Sequence, residues 1–265
     1  MSSPDLVLAV ISAGAYLLAL VFLSFEAVLS GKSLRPVWTT LLAAGFAVHT
    51  AALVTRSTLS GEVPFTDLFE YTLFFSWAMV LVYLVFFRNR MPAVGSLAML
   101  VVVFLLLGSS FFYYSDPAGG RMPALKSYWL YIHVSIAALG ETFFAIGFVA
   151  SLIYLARSRT ADRDSLRSLD QLTYRAISMG FPLFTAGALV AGAIWAKQAW
   201  GAYWSWDPKE VLSLVVWLVY AVYLHARLVR GLKGRVAAGI SIAGFMLTVF
   251  TIFGTLVFGG LHSYG

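Results

Sequence analysis

The stretch 129-WLYIHVSIAALGETFFAIGFVASLIYLA-156 decides the class of fold. It is apolar almost throughout, and its only charged residue is Glu141. A helix needs about 20 largely apolar residues to cross a bilayer, whereas a strand of a membrane barrel alternates apolar and polar residues. The stretch is therefore predicted to be a membrane-spanning helix. Its acid, deep inside the span, must be protonated, paired or functional.

Seven further runs of the same kind occur along the chain. With the first, they cover residues 6–29, 36–56, 66–87, 92–113, 129–156, 174–197, 210–229 and 236–258. Hydrophobic residues make up 60% of the sequence and charged residues only 11%, too few to cover a water-facing surface. We predict an all-α, polytopic membrane protein with eight transmembrane helices, forming a single domain over residues 1–265. The polar connection at 157–172 is predicted to be a short linker or a surface helix.

The basic residues are distributed unevenly between the two sides of this bundle. Of the 18 lysines and arginines, only five belong to one side, namely Arg56, Arg121, Lys126, Lys197 and Lys209. The positive-inside rule places the richer side in the cytoplasm, so both termini are predicted on the outer, periplasmic side. The net charge of +6 is thereby explained without a nucleic-acid partner. The absence of cysteine excludes disulfides, thiolate metal sites and CxxC chemistry.

The outer connection between the sixth and seventh runs is rich in aromatic residues. WAKQAWGAYWSWDPKE, residues 195–210, holds four of the eight tryptophans. Tryptophan and tyrosine favour membrane interfaces, so an interfacial belt would account for them. A dense, flat aromatic platform for a large planar ligand would account for them equally well. The residues that would form such a platform are Trp200, Tyr203, Trp204 and Trp206.

The end of this segment has the pattern of a helix start. Asp207 is predicted to cap the seventh span, with Pro208 in its first turn and Glu210 completing a capping box. Asp67 and Glu70 form a similar capping pattern at the start of the third span.

The chain contains four histidines, and two of them belong to the outer side. His133 lies about 6 Å below the outer end of its span, at 1.5 Å per residue, and His262 lies just beyond the last span. His49 and His225 lie inside spans, where ionisable side chains are rare and are treated as functional by default. Ordinary interfacial histidines, or imidazoles hydrogen-bonded between helices, are the alternatives that the residues leave open.

The tryptophan-rich segment resembles the WWD signature of heme-handling proteins of cytochrome c biogenesis. The most similar family is the CcsA (ResC) family of the system II pathway. The resemblance also covers residues 63–79, 122–140 and 216–228, and the terminal GLHSYG at 260–265.

This resemblance implies a function and a set of site residues. The protein is expected to transport heme b across the membrane and to present it for covalent attachment to apocytochrome c. His133 and His262 are implied as axial ligands of an external heme, and His49 and His225 as a second, intramembrane pair. The loop residues implied to contact heme are Trp200, Tyr203, Trp204, Trp206 and Asp207.

The resemblance also implies partners and a location. A separate membrane protein of the CcsB (ResB) type would complete a cytochrome c synthetase, or heme lyase, of which this chain is a subunit that need not be catalytic alone. Its substrate partner would be the CxxCH motif of an apocytochrome c. The chain is expected in the bacterial plasma membrane, in contact with lipid, with the tryptophan loop on the periplasmic side.

Three other functions remain as alternatives. A system I heme chaperone is less consistent with the WDPKE ending and with eight spans. A HemX-like accessory protein of heme biosynthesis is a further relative. A bis-histidine heme subunit for electron transfer would hold stoichiometric heme tightly, whereas a transporter would lose it between preparations.

Overall fold

The structure, a computed structural model, describes residues 3–28, 33–65, 67–89, 91–110, 113 and 127–254. All regular secondary structure within these ranges is helical. Among the described residues, eight helical segments are long and apolar enough to cross a membrane, which confirms the eight predicted spans. The side on which the termini lie stays a prediction. The residues group into two compact units, Met1–Arg121 and Met122–Gly265, and the single-domain interpretation also stays a prediction.

Unit 1 contains the first four spans. Its helices are α1 (Pro4–Val28), α2 (Arg35–Ser60), α3 (Leu68–Val82) and α4 (Pro92–Ser109). Helix α3 continues into a π-helical turn, Tyr83–Phe87. Helix α1 packs against α2 and α4, and α3 packs against α4.

A buried ion network lies inside unit 1 and is centred on Arg56. Its guanidinium is 3.4 Å from Asp5, 3.1 Å from Asp67 and 3.0 Å from Glu70. The side chains of Arg56, Asp5 and Glu70 have no solvent exposure. Asp67 also accepts a hydrogen bond from the Glu70 amide at 2.7 Å, so the predicted helix cap is confirmed. Arg56 therefore neutralises buried carboxylates and does not lie among lipid headgroups.

Unit 2 contains the last four spans. Its helices are α5 (Tyr128–Arg157), α6 (Arg163–Phe184), α7 (Gly192–Trp200), α8 (Pro208–Val229) and α9 (Gly234–Phe253). A π-helical segment, Thr185–Ala191, joins α6 to α7 without a break. Helix α5 packs against α6 and α9, and α8 packs against α9.

The helix that contains the sixth apolar run begins at Arg163, well before residue 174, where the predicted run begins. The Asp162 carboxylate caps the helix by accepting hydrogen bonds from the amides of Asp164 and Ser165, at 3.0 and 2.8 Å. Leu169 is buried, so this polar start of the helix also packs against the protein. The predicted connection therefore contains a helical part from Arg163 onward that continues without a break into the sixth apolar run.

Glycines let α6 approach α5 backbone to backbone. A Cβ atom on Gly140 would lie 2.6 Å from the Phe184 nitrogen, and one on Gly180 would lie 2.7 Å from the Gly140 oxygen. A Cβ atom on Gly187 would lie 2.3 Å from the Ala137 nitrogen. Small residues allow such close contacts between helices in membranes. This contact brings the carbonyl groups of the π-helical segment next to the N-terminal half of α5.

Candidate ligand site at the tryptophan loop

The imidazole of His133 is held in a fixed orientation by two contacts. Its Nδ1 atom lies 2.9 Å from the carbonyl oxygen of Gly187. Its ring stacks on Trp195, with centroids 5.8 Å apart and planes inclined by 8°. A carbonyl oxygen can only accept, so this hydrogen bond assigns the proton to Nδ1 and the lone pair to Nε2. His133 therefore carries its lone pair on Nε2, with the ring held in one orientation.

The π-helical segment supplies the acceptor in this arrangement. The Gly187 oxygen also accepts a hydrogen bond from the Gly192 amide, which is the wide i to i+5 pairing of a π-helix. A Cβ atom on Gly192 would lie 3.0 Å from His133 Nδ1, so glycine leaves room for the ring. Such local π-helical turns occur frequently at functional sites.

A cleft opens beside His133 and is walled by residues of the tryptophan loop. Tyr203, Trp204 and Lys209 line it together with His133. Its volume is about 40 Å³, so only the edge of a large planar ligand fits inside while the loop keeps this position. The cleft thus combines an imidazole, an aromatic wall, the cation of Lys209 and the carboxylate of Glu210 in one place.

The loop is fixed by the side chain of Glu210. This carboxylate accepts hydrogen bonds from the Ser205 amide at 2.7 Å, the Ser205 hydroxyl at 3.0 Å and the Asp207 amide at 3.3 Å. Asp207 in turn accepts from the Lys209 amide at 3.1 Å, so the predicted capping box is confirmed. Trp206 has a φ of 59°, the left-handed conformation that costs a bulky residue free energy. The cap and Glu210 stabilise this conformation.

The predicted platform residues occupy three different positions. Tyr203 and Trp204 line the cleft. Trp206 is 71% exposed and meets Trp204 edge to face at 5.9 Å. Trp200 packs against Trp195 at 4.7 Å. Trp195, which contacts His133 directly, was not among the predicted site residues, and its only sequence signal is its place at the head of the aromatic segment.

The other histidines are placed differently. His49 is fully buried in unit 1, with Nε2 3.1 Å from the Leu73 oxygen and Nδ1 3.3 Å from the Tyr16 hydroxyl. The Leu73 carbonyl requires a proton on Nε2, so the Nδ1 lone pair accepts from Tyr16. His262 lies outside the described residues.

His225 is exposed on α8 and lines an open groove of about 410 Å³ that also includes Arg230. It follows Lys209 by 16 residues, which places it about 24 Å along the helix from the His133 cleft. Within the described ranges, no three His, Asp or Glu side chains group closely enough to hold a metal ion by themselves.

Comparison with known proteins identifies the family. Residues 65–262 match the family described as "Cytochrome C assembly protein". The chain is 36% identical to the cytochrome c biogenesis protein CcsA of Prochlorococcus marinus (strain MIT 9303), over 96% of this chain and 92% of that protein. It is 38% identical to CcsA of Chlamydomonas reinhardtii, over 80% of this chain and 64% of that protein.

A solved structure shares the fold. The cytochrome c heme lyase CcmF superposes with a TM-score of 0.72 at 18% identity, over 99% of this chain and 50% of that one. The eight apolar helices make the chain a multi-pass membrane protein. The family match and the extent of identity together lead to one assignment: the chain belongs to the CcsA family of cytochrome c assembly proteins.

Proposed function

We propose that this protein moves heme across the membrane and presents it for covalent attachment to apocytochrome c by the system II pathway. Membership of the CcsA family places the chain in cytochrome c biogenesis and heme handling. The observation that carries the finer proposal is His133, whose Nδ1 is bound to Gly187 and whose ring is stacked on Trp195. Heme iron takes neutral imidazole as an axial ligand, and a second hydrogen bond fixes such a ligand in place.

The cargo in this proposal is heme b, held without a covalent bond. His133 Nε2 supplies one axial bond, and His262 is proposed to supply the other. The loop residues proposed to contact the macrocycle are Trp200, Tyr203, Trp204, Trp206 and Asp207. The narrowness of the cleft implies that the loop shifts outward when heme binds, while the Glu210 bonds keep its helix end in place.

An intramembrane pair, His49 and His225, is proposed to receive heme before it reaches the outer site. The exposed His225 ring, beside a groove with a guanidinium from Arg230, suits entry of an anionic macrocycle. His49 already uses both ring nitrogens, so ligation through Nδ1 requires that the Tyr16 hydroxyl move away.

The partners and the location follow from the same proposal. A CcsB (ResB)-type membrane protein would complete the synthetase, and the two thiols of an apocytochrome CxxCH motif would add across the heme vinyl groups. This chain has no cysteine that could compete for them. We place the protein in the bacterial plasma membrane, and the uneven basic residues support an orientation in which the tryptophan loop faces away from the cytoplasm, into the periplasm.

Deleting the gene and purifying the protein together test this function. We expect deletion cells to lose c-type cytochromes and to keep b-type cytochromes, because only the attachment pathway depends on the protein. The purified protein should show a Soret band with less than one heme per chain, varying between preparations. Normal cytochrome c in the deletion cells, or tight stoichiometric heme as in an electron-transfer subunit, would contradict the proposal.

The Gly187→Ala variant tests the support of His133. The new methyl group would lie 2.3 Å from the Ala137 backbone nitrogen, so the π-helical segment must move away from α5 and weaken the bond to Nδ1. Heme affinity should fall by about 10–100-fold, as when an outer-shell partner of a metal ligand is lost. Gly239→Ala is the control, because a Cβ atom there meets nothing within 4 Å. Equal heme affinity in the two variants would show that Gly187 does not support the binding of heme by His133.

A further inference from the structure

The five basic residues predicted on the outer side differ in the groups that they contact. Arg56 lies in the ion network of unit 1. Lys197 donates to the Gly201 oxygen at 2.7 Å, and its ammonium lies 5.6 Å from the centre of the Tyr203 ring. Arg121 and Lys126 lie outside the described residues. Lys209 is the described outer cation that lines the His133 cleft.

The Lys209 ammonium is surrounded by charged and polar groups. It interacts electrostatically with His133, with Asp207, and with Glu141, which is only 7% exposed. Glu141 follows His133 by eight residues on α5, about 12 Å along the helix. In the part of the chain that the structure describes, no acceptor lies within hydrogen-bond distance of Lys209 Nζ. A partly buried ammonium without such a partner favours an anionic ligand, since burying a charge is costly unless it is paired.

The backbone of Lys209 is held in place by a hydrogen bond at the start of α8. Its amide is bound by the Asp207 cap, so the start of the side chain is fixed at the first turn of α8. A charge-assisted hydrogen bond from an ammonium to a carboxylate is about twice as strong as a neutral one. The position of Lys209 beside His133 therefore suits a ligand that carries both a metal centre and a carboxylate.

We propose that Lys209 binds a propionate of the heme whose iron His133 coordinates, with Glu141 as the counter-charge of the ammonium before heme arrives. This inference rests on the proposed function, because it assigns a carboxylate partner within the same site. It makes Lys209 a positioning residue that sets which edge of the macrocycle enters the cleft and leaves the opposite edge toward the mouth.

The test compares two forms of the cargo. Hemin and its dimethyl ester, which lacks both propionate charges, are titrated into the heme-free wild-type protein and three variants in detergent. The variants are Lys209→Met, Lys209→Arg and Lys197→Met. Wild type should bind hemin about tenfold or more tightly than the ester, since hydrogen bonds to charged groups are worth about 1.5–3 kcal/mol and 1.4 kcal/mol is tenfold.

The ratio of the two affinities identifies the role of Lys209. In Lys209→Met the ratio should fall close to one, while the low-spin spectrum of histidine ligation stays. Lys209→Arg should keep most of the preference, and Lys197→Met should keep all of it. If Lys209→Met preferred hemin over the ester as strongly as wild type does, the inference would be overturned. That result is expected if the lysine contacts lipid headgroups instead. Failure of wild type to bind either compound would instead overturn the proposed function.

Discussion

His133→Ala is expected to lose heme from the outer site and to stop cytochrome c assembly, while the protein still inserts into the membrane. The variant removes the Nε2 lone pair that Gly187 and Trp195 hold in position. Loss of an outer-shell partner alone costs about 10–100-fold in metal affinity, so loss of the ligand should cost more than about 100-fold. Heme per purified chain and holocytochrome c per cell are the measurements.

Added imidazole should restore part of the heme content and part of the holocytochrome c in His133→Ala. The space left beside Trp195 accepts a free imidazole, which supplies the missing lone pair. Ile132→Ala, on the neighbouring exposed face of α5, is the control and should behave as wild type. Normal heme content and normal cytochrome c in His133→Ala would show that the ring is an ordinary interfacial histidine.

Arg56→Met is expected to be the most destabilising single substitution in unit 1. It leaves Asp5 and Glu70 buried without their cation, and removing one partner of a buried ion pair costs about 3–5 kcal/mol. The variant should accumulate poorly and unfold at a clearly lower temperature than wild type in the same detergent. The apparent midpoint of thermal unfolding, at one heating rate, is the measurement.

Two further variants show whether charge is the cause. Arg167→Met removes an exposed ion pair with Asp164, 74% and 91% exposed, and should change stability by about 0–1 kcal/mol. Neutralising the partners in the triple variant Arg56→Met, Asp5→Asn, Glu70→Gln should recover part of the lost stability. An Arg56→Met protein as stable as Arg167→Met would mean that the network contributes nothing to folding.

The spans and the helix starts could be predicted from the sequence because their determinants are local. Asp207 and Glu210 cap α8 through bonds to amides within three residues. The apolar runs likewise predict the spans, because each run is a continuous stretch of the sequence. The prediction left open whether the polar connection at 157–172 is a linker or a surface helix, and its apolar run began only at residue 174. The structure starts α6 at Arg163, because the Asp162 cap and the burial of Leu169 extend the helix beyond its apolar part.

The composition of the site depends on contacts between distant residues and could be predicted only in part. His133 and the tryptophan loop were predicted as neighbours from their shared depth, and the structure brings them together. The contact of Trp195 with His133 depends on where Gly187 approaches α5. Gly187 and its hydrogen-bond partner His133 are 54 residues apart in the sequence. Lys209 and Lys197 looked alike in sequence, and only their contacts distinguish a lysine in the cleft from one bound to Gly201.

The π-helical segment amounts to one extra residue wound into an otherwise regular rod. Each residue of an α-helix turns the chain by about 100°, and the wide turn between Thr185 and Ala191 absorbs that angle. Helix α7 therefore keeps the face that it would have in a regular helix one residue shorter. The same residues wound as a regular α-helix would instead rotate α7 by about 100° and turn Trp195 away from His133. The direction in which Trp195 faces is consequently set by the winding of a stretch to which it does not itself belong.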